Sequence, residues 1–351
     1  MKSIVSNVKI VGLAASVPKV SQSILDSFYG EPADRLKFMK TTGVENRRLS
    51  TVDQCTSDFC FAAADRLLQD LQWDRSSVDL LIFVTQTPDY ILPATAITLQ
   101  DRLGLSRECA AFDINLGCSG YTYGLSVVSS MMAGGGFKKA LLLVGDTSSK
   151  GILPSTRHAT PPLFGDCGTA TALECQESAP SMYFHLASDG SGKEAIMHRY
   201  GAYRHPFHED TFSYEALEGG YIEVNTQFVL DGLEVFNFSV REIPPAVKAL
   251  MAFSGQTVET VDGFVFHQAN MLMNEMIRKN LKIPPEKHPY TLKKYGNTSS
   301  ATIPLTLVSE LRDKLQSQPM RLVLSGFGVG LSWGTACVET NSIVCPEVIE
   351  L

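Results

Sequence analysis

Two features are missing from this sequence of 351 residues: a long basic segment and a long apolar run. It has 30 Lys and Arg against 37 Asp and Glu, which gives a formal net charge of −7. An acidic chain without a basic block does not favour nucleic acid as a partner. No apolar run reaches the roughly 18–20 residues that span a bilayer, and Met1–Ser6 shows no signal-peptide core. We therefore expect a soluble, cytoplasmic protein that binds neither nucleic acid nor membrane.

The sequence also lacks the cysteine spacing of metal sites and disulfide frameworks. Its eight cysteines include no CxxC pair, so most of them are expected to be small core residues. His198, His205 and His208 lie in a Gly-, Tyr- and charge-rich segment, residues 187–229, and their spacing fits no common ligand set. We expect that segment to form loops with exposed histidines, and we expect no metal site.

Pairs of similar segments indicate that the chain is a duplication. At offsets of 166 to 183 residues and in the same order, Val78–Thr87 resembles Val261–Asn270, Lys139–Gly145 resembles Arg321–Gly326, and Gly168–Glu174 resembles Gly334–Thr340. A repeat of about 170 residues is far longer than a solenoid unit. In both copies, short apolar runs alternate with helical patterns, which predicts α/β layers.

The pattern predicts particular elements and an overall division. A buried strand is expected over 78–85, and helices are expected over 57–73, 119–133, 273–280 and 298–315. Two copies with buried central helices predict a five-layer αβαβα arrangement. Its N-terminal half would be residues 1–180, and its C-terminal half would be residues 181–351.

Cys118 is the strongest candidate for a chemical role. It stands between an apolar strand-like run and the helical segment from Ser119 to Ala133, where helix N–H groups and the helix dipole favour a thiolate. Such a thiolate can accept an acyl group from a thioester. The oxyanion formed in that step needs backbone N–H donors. One would be Cys118 itself, and a second could come from the turn Gly326–Gly330.

Two later segments offer polar partners for the cysteine. His267 ends an apolar strand just before Gln268, which favours a site role over a buried structural histidine. Asn297 precedes a Thr-Ser-Ser cluster at a predicted helix start. From spacing alone, Asn297 is more simply explained as a helix N-cap.

These segments together resemble the thiolase-superfamily condensing enzymes, most of all β-ketoacyl-acyl carrier protein synthase III. The resemblance runs over nearly the whole chain. It rests on Asp113–Gly124, Phe164–Ala170, His267–Asn270, Gly296–Ala301 and Gly326–Gly334. The Cys/His/Asn set of this chain differs from the Cys/His/His set of the elongating synthases. It also differs from the set of the hydroxymethylglutaryl-CoA synthases, which includes a catalytic glutamate. Plant-type polyketide synthases share Cys/His/Asn, but the shorter length and the His-Gln-Ala-Asn motif favour synthase III.

The resemblance implies a mechanism and a set of site residues. Cys118 would be acylated by acyl-CoA or acyl-ACP, and malonyl-ACP would then lose carbon dioxide. His267 and Asn297 would donate hydrogen bonds to the malonyl thioester, and the N–H groups of Cys118 and Val329 would form the oxyanion hole. The family implies a homodimer that works with acyl carrier protein and needs no metal or organic cofactor. Substrate-contacting positions of the family correspond here to Leu92, Arg157, Gly232, Phe236 and Asn270.

Several positions depart from the family pattern. Lys37 and Thr41 replace a tryptophan and an arginine that clamp the adenine of CoA, and Leu272 replaces a carrier-docking arginine. Nearby Arg278, Lys279 and Lys282 could still attract an acidic carrier. We therefore expect a carrier-bound or unusual starter rather than acetyl-CoA. Leu92 is expected to cross the dimer interface and to leave room for a longer or branched acyl group.

Two rival functions remain open from the sequence. One is an acyltransferase of the same fold that moves the acyl group from Cys118 to an alcohol or amine. The other is a non-catalytic partner subunit, which the presence of Cys118 disfavours. The pathway could be primary fatty acid synthesis, a surface polysaccharide or a secondary metabolite.

Overall fold

Six strands form the first sheet of the protein. The computed structural model describes residues 1–27, 29–151, 162–208, 214–216, 222–224 and 228–351. The strands of the first sheet are β2 (Val8–Val17), β5 (Leu80–Val84), β6 (Ala110–Ile114), β7 (Lys139–Asp146), β8 (Cys167–Cys175) and β17 (Ile349–Glu350). Their order is β17-β2-β8-β7-β5-β6. β5 is parallel to both β7 and β6, so the carboxyl ends of these three strands meet at one edge.

Five strands form the second sheet. They are β1 (Lys2–Val5), β9 (Met182–Ser188), β14 (Gly263–Phe266), β15 (Met320–Gly328) and β16 (Ser332–Thr340), in the order β1-β9-β16-β15-β14. The division predicted after residue 180 falls between β8 and β9. Each terminus nevertheless joins the sheet of the other half, because β1 pairs with β9 and β17 pairs with β2.

The shared strand order supports the duplication. The three pairs of similar segments become β5 and β14, β7 and β15, and β8 and β16. In the first sheet they stand in the order β8-β7-β5, and in the second in the order β16-β15-β14. The two halves therefore use the same arrangement of strands.

Helices complete five layers around the two sheets. α2 (Thr56–Asp70) and α3 (Thr95–Arg102) cover the outer face of the first sheet, and α5 (Gly232–Ser254) covers the second. α4 (Gly120–Ala133) and α8 (Thr302–Glu310) lie between the sheets and contact both. The remaining helices are α1 (Pro32–Thr42), α6 (Met271–Asn280), α7 (Leu292–Tyr295) and α9 (Arg312–Ser317). The predicted αβαβα fold is confirmed.

Three apolar cores lie between these layers. The central one contains Leu125 and Val128 of α4 with Leu305 of α8, all buried against both sheets. A second core packs α2 on the first sheet, and a third packs α5 and α6 on the second. A helix that is apolar nearly all round, as α4 is, has to be buried on all sides.

The segment over 187–229 is less regular than the sheets. Its described parts include the short strands β10 (Ile196–His198), β11 (Tyr214–Ala216), β12 (Ile222–Val224) and β13 (Phe228–Leu230), while β3 (Ser21–Ser23) pairs with β4 (Asn46–Arg48) near the N-terminus. β10 pairs with β13 in an antiparallel two-stranded sheet, and β13 leads into α5. No helix within the described residues is long and apolar enough to cross a membrane.

Candidate active site

One cavity brings the three principal candidate residues together. It has a volume of about 530 Å³ and is lined by Cys118, His267 and Asn297. Cys118 comes from the first half of the chain, and the other two residues come from the second half. Each follows a regular element: Cys118 follows β6, His267 follows β14, and Asn297 follows α7.

Cys118 lies just before α4, as its sequence context predicts. Its residue is only 8% exposed, and the backbone N–H groups of Val329 and of Cys118 itself hydrogen-bond to the sulfur. These N–H groups favour the thiolate, as the position predicts, but burial has the larger effect in the free protein. Burial raises the pKa of the Cys118 thiol to about 11, and these hydrogen bonds, with one from Ser299, oppose the shift only in part. The free thiol is therefore protonated at neutral pH.

The glycine turn after β15 fits closely against this thiol. A Cβ atom on Gly328 would lie 2.7 Å from the Cys118 Cβ and 2.8 Å from its Sγ. Such distances are too short for any side chain, so only glycine allows the strand to approach the sulfur. This approach brings the Val329 N–H within reach of Cys118.

His267 is held in a buried and neutral state. Its backbone N–H donates to Ser325 O at 2.7 Å, and its ring packs edge-on against Phe327. Burial lowers the pKa of His267 to about 3, although a hydrogen bond to the Ser299 backbone opposes the shift. The Nδ1 atom lies 2.8 Å from the hydroxyl of Thr302, and the His267 ring lines the cavity.

Asn297 has a fixed amide orientation. Its Oδ1 accepts a hydrogen bond from Ser299 N–H at 2.9 Å, so its NH₂ group is left to face other partners. Its backbone is tied to the first half of the chain by two hydrogen bonds, Asn297 N–H to Leu163 O and Gly165 N–H to Asn297 O, each 3.0 Å. Asn297 is not a helix N-cap, because the N-cap of the short 3₁₀ helix Ser299–Ala301 is Thr298 and that of α8 is Ala301. The bond to its Oδ1 leaves the amide nitrogen as a donor.

Asp146 supports this region and was not identified from the sequence. It ends β7, is fully buried, and accepts hydrogen bonds from Gln86 N–H at 2.7 Å and from the Ser300 hydroxyl at 2.6 Å. Burial raises the pKa of Asp146, while these hydrogen bonds oppose the shift. The sequence feature that could have identified Asp146 is its position directly after the apolar run Lys139–Gly145.

Comparison with known proteins places this site in a family. The family 3-oxoacyl-[acyl-carrier-protein (ACP)] synthase III matches residues 112–190, and its C-terminal part matches residues 251–340. A β-ketoacyl-[acyl-carrier-protein] synthase III from Geobacillus kaustophilus is 32% identical over 339 residues, covering 94% of this chain and 98% of its own. The chain belongs to the 3-oxoacyl-ACP synthase III family.

Other relatives of the synthase agree with this assignment. β-Ketoacyl-[acyl-carrier-protein] synthase III 1 from Halalkalibacterium halodurans is 35% identical over 299 residues, which are 85% of this chain and 87% of the relative. The crystal structure of a 3-oxoacyl-(acyl-carrier protein) synthase from Burkholderia xenovorans LB400 has a TM-score of 0.92 at 34% identity. It covers 100% of this chain and 99% of that one. The synthase is an enzyme of the condensing acyltransferase class with a thiolase-like fold.

Only some of the other predicted substrate-binding residues of the synthase line the cavity. Gly232 and Asn270 line the cavity, and Asn270 also caps α6 through Met273 N–H at 2.8 Å. Phe236 is instead half-buried against the core beneath α5. Leu92 is 73% exposed on the single chain and does not line the cavity. Arg157 lies outside the described residues.

The positions that depart from the family lie on exposed helices of the synthase. Lys37 and Thr41 are exposed on α1, and the Thr41 hydroxyl donates to the Lys37 carbonyl within that helix. Leu272 is 50% exposed on α6. Neither α1 position offers a flat group that could stack on an adenine ring.

The histidine prediction for residues 187–229 needs one correction. His198 is exposed, but it also lines the cavity, as Phe228 does. The two rings are tilted against each other across the β10–β13 pair, with centroids 5.1 Å apart. His205 is exposed, and its ring meets Tyr200. In the part of the chain that the structure describes, no group of three or more His, Cys, Asp or Glu side chains could hold a metal ion.

Proposed function

We propose that this synthase loads an acyl group on Cys118 and condenses it with malonyl-ACP. The observation that carries the proposal is the cavity shared by Cys118, His267 and Asn297. In the loading step the Cys118 sulfur replaces the sulfur of the incoming thioester. The thiol proton of Cys118 ends on the departing pantetheine sulfur, so the raised pKa of Cys118 requires no net acid or base.

The condensation step breaks one carbon–carbon bond and forms another. Malonyl-ACP loses carbon dioxide, and the resulting enolate carbon attacks the acyl carbonyl on Cys118. The bond between the acyl group and the Cys118 sulfur breaks, which gives β-ketoacyl-ACP. The thiolate then takes one proton from solvent. The bond changes involve only a thioester, a carboxylate and a thiol, so the proposed reaction uses no metal or organic cofactor.

His267 and Asn297 are proposed to stabilise the enolate oxygen. A neutral imidazole with a proton on Nε2 and an amide NH₂ group are both hydrogen-bond donors. The lowered pKa of His267 keeps it neutral, and the bond from Ser299 N–H orients Asn297. For Nε2 to carry the proton, the Thr302 hydroxyl must donate to Nδ1. That hydroxyl also lies 3.0 Å from Ser299 O, so its single proton has two competing acceptors.

The N–H groups of Cys118 and Val329 are proposed to bind the second oxyanion, on the acyl carbonyl at Cys118. Both already hydrogen-bond to the sulfur in the free protein. Donors that are in place before the reaction need no reorganisation when charge develops.

An acidic carrier protein is the proposed partner, and lysines near α6 support that choice. Lys279 and Lys282 are exposed there. Arg278 is a weaker candidate than expected, because its guanidinium is held by Glu275 at 2.8 Å and its side chain is only 11% exposed. We also propose a cytoplasmic homodimer. The exposed apolar side chains Tyr90, Ile91, Leu92 and Ile97 support a second copy as the covering surface.

Separation of the two steps tests the function. His267→Ala and Asn297→Ala are expected to be acylated by a starter thioester but to release little carbon dioxide from malonyl-ACP. Cys118→Ala is expected to block loading. Loss of loading in all three variants, with decarboxylation retained, would contradict the assigned roles. The comparisons favour condensation over acyl transfer to an alcohol or amine, since the named relatives are 3-oxoacyl-ACP synthases.

A further inference from the structure

Three neighbouring strands of the first sheet deliver polar side chains to the cavity. Gln86 follows β5, Asn115 follows β6, and Ser148 follows β7, and all three line the cavity. We call these three residues the strand-end wall. The parallel strands β7, β5 and β6 are adjacent, so their carboxyl ends meet at one edge. Ligands in open α/β sheets bind beyond such an edge.

The side-chain polar groups of the strand-end wall are not engaged by the described part of the chain. The side chains of Gln86, Asn115 and Ser148 make no hydrogen bond to any residue in the described ranges. Neighbouring Thr87 differs, because its hydroxyl accepts from Thr147 N–H at 2.9 Å and pairs with Thr56 at 2.7 Å. The wall therefore presents two amides and one hydroxyl that are free to bind a ligand.

The strand-end wall lies close to the nucleophile. A Cβ atom on Gly117 would collide with the side-chain oxygen of Gln86, so that amide rests on the residue next to Cys118. Asn115 is three residues before Cys118 in the chain. Gln86 and Asn115 line the same cavity as Cys118, and an acyl group on its sulfur would extend into that cavity.

The charges around the cavity limit the kind of group that fits. No lysine or arginine is among the described residues that line it. The Asp146 carboxylate beside the cavity already accepts from Ser300 and from Gln86 N–H. Among the described lining residues, a charged acyl substituent would lose hydration without gaining an opposite charge. A purely apolar chain would displace water from amides and leave them unpaired.

We propose that the strand-end wall selects a starter with an uncharged hydrogen-bonding substituent, namely a hydroxyl or oxo group near the thioester. This inference rests on the proposed loading of Cys118. It concerns only the identity of the acyl group. Gln86 and Asn115 are then specificity-determining residues, because an amide can donate to, and accept from, the same hydroxyl.

A competition between two matched starters tests this inference. The protein is mixed with equal amounts of butyryl and 3-hydroxybutyryl thioesters on the same carrier, and intact-mass spectrometry measures the ratio of the two acyl-enzymes at early times. The two products differ by one oxygen atom. One or two additional hydrogen bonds predict a preference of about threefold to tenfold for the hydroxyacyl group. Gln86→Leu and Asn115→Leu are expected to bring the ratio close to one while the butyryl group still loads.

The control and the contradicting results separate the two proposals. Gln318→Leu makes the same change at an exposed position after α9 and is expected to keep the wild-type ratio. Equal or faster loading of butyryl in the wild-type protein would overturn the inference and leave the proposed function standing. Loading that is absent for both thioesters, or that persists in Cys118→Ala, would instead contradict the proposed function.

Discussion

Asp146 and Ser300 stand 154 residues apart in the chain and are joined by two hydrogen bonds beside the cavity. The Asp146 Oδ2 atom accepts from the Ser300 N–H at 3.1 Å and from its hydroxyl at 2.6 Å. Asp146 ends a strand of the first half, and Ser300 follows Asn297 in the second half. The geometry of Asn297 relative to Cys118 thus depends on a buried contact between the halves.

Replacement of Asp146 by asparagine tests this positioning role. The Ser300 N–H and the Gln86 N–H donate to opposite oxygens of the carboxylate, so an amide must turn its NH₂ group toward a donor. A hydrogen bond to a charged group contributes about 1.5–3 kcal/mol, which predicts a loss in condensation rate of roughly tenfold or more. Acylation of Cys118 is expected to continue. Condensation at the wild-type rate would show that Asp146 does not position Asn297.

Thr302 gives a test of the histidine tautomer. Thr302→Val keeps the shape of the side chain but removes the hydroxyl that meets His267 Nδ1 at 2.8 Å. In the proposed arrangement this hydroxyl donates to Nδ1 rather than to Ser299 O and keeps the ring proton on Nε2. Its removal is therefore expected to lower the decarboxylation of malonyl-ACP by about tenfold. Thr302→Ser retains the hydroxyl and is the matched control. Equal rates in the two variants would contradict the proposed proton arrangement.

Gly328 tests the close approach of β15 to the thiol. Alanine at this position would put a methyl group 2.8 Å from the Cys118 sulfur, so either the thiol or the turn has to move. A displacement near 1 Å in an active site can cost on the order of 100-fold in rate, and we expect that effect on acyl loading. Gly136→Ala is the control, since a Cβ there meets no atom within 4 Å. Loading unaffected by Gly328→Ala would argue against the described turn.

The reactivity of Cys118 should depend on pH in a defined direction. Because its pKa is raised to about 11, the thiolate fraction increases about tenfold for each pH unit between pH 6 and 10. Alkylation of Cys118 by iodoacetamide should therefore accelerate by about 100-fold from pH 7 to 9. His267, with a pKa near 3, adds no inflection in this range. A plateau below pH 8, measured against Cys118→Ala, would show that the thiol is activated before substrate binds.

The sequence predicts the layers of this fold better than the details of its site. The alternation of apolar runs and helical patterns is local information, and it identifies β5, α2 and α4 with boundaries within a few residues. The continuous apolar pattern over 298–315 predicts a single helix, but Leu311 separates α8 from α9. Contacts such as Asp146 with Ser300 depend on how the two halves pack, which no local pattern records.

The effect of burial on the pKa values of Cys118 and His267 could not be predicted from the sequence either. The position of Cys118 before a helix is readable from its neighbours, and the helix does begin at Gly120. The desolvation of the thiol depends on the second sheet, whose residue Gly328 packs against it. This desolvation raises the pKa of Cys118 by more than the nearby N–H groups lower it. The same packing neutralises His267, which suits the donor role proposed for it.

Intact-mass spectrometry with a malonyl-ACP chase tests the proposed condensation most directly. The protein is first exposed to a panel of acyl-CoA and acyl-ACP thioesters, and malonyl-ACP is then added. We predict a mass increase that is absent in Cys118→Ala, followed by its loss together with carbon dioxide release and formation of β-ketoacyl-ACP. An acyl group that loads on Cys118 but remains there after malonyl-ACP is added would contradict condensation and favour transfer to an alcohol or amine.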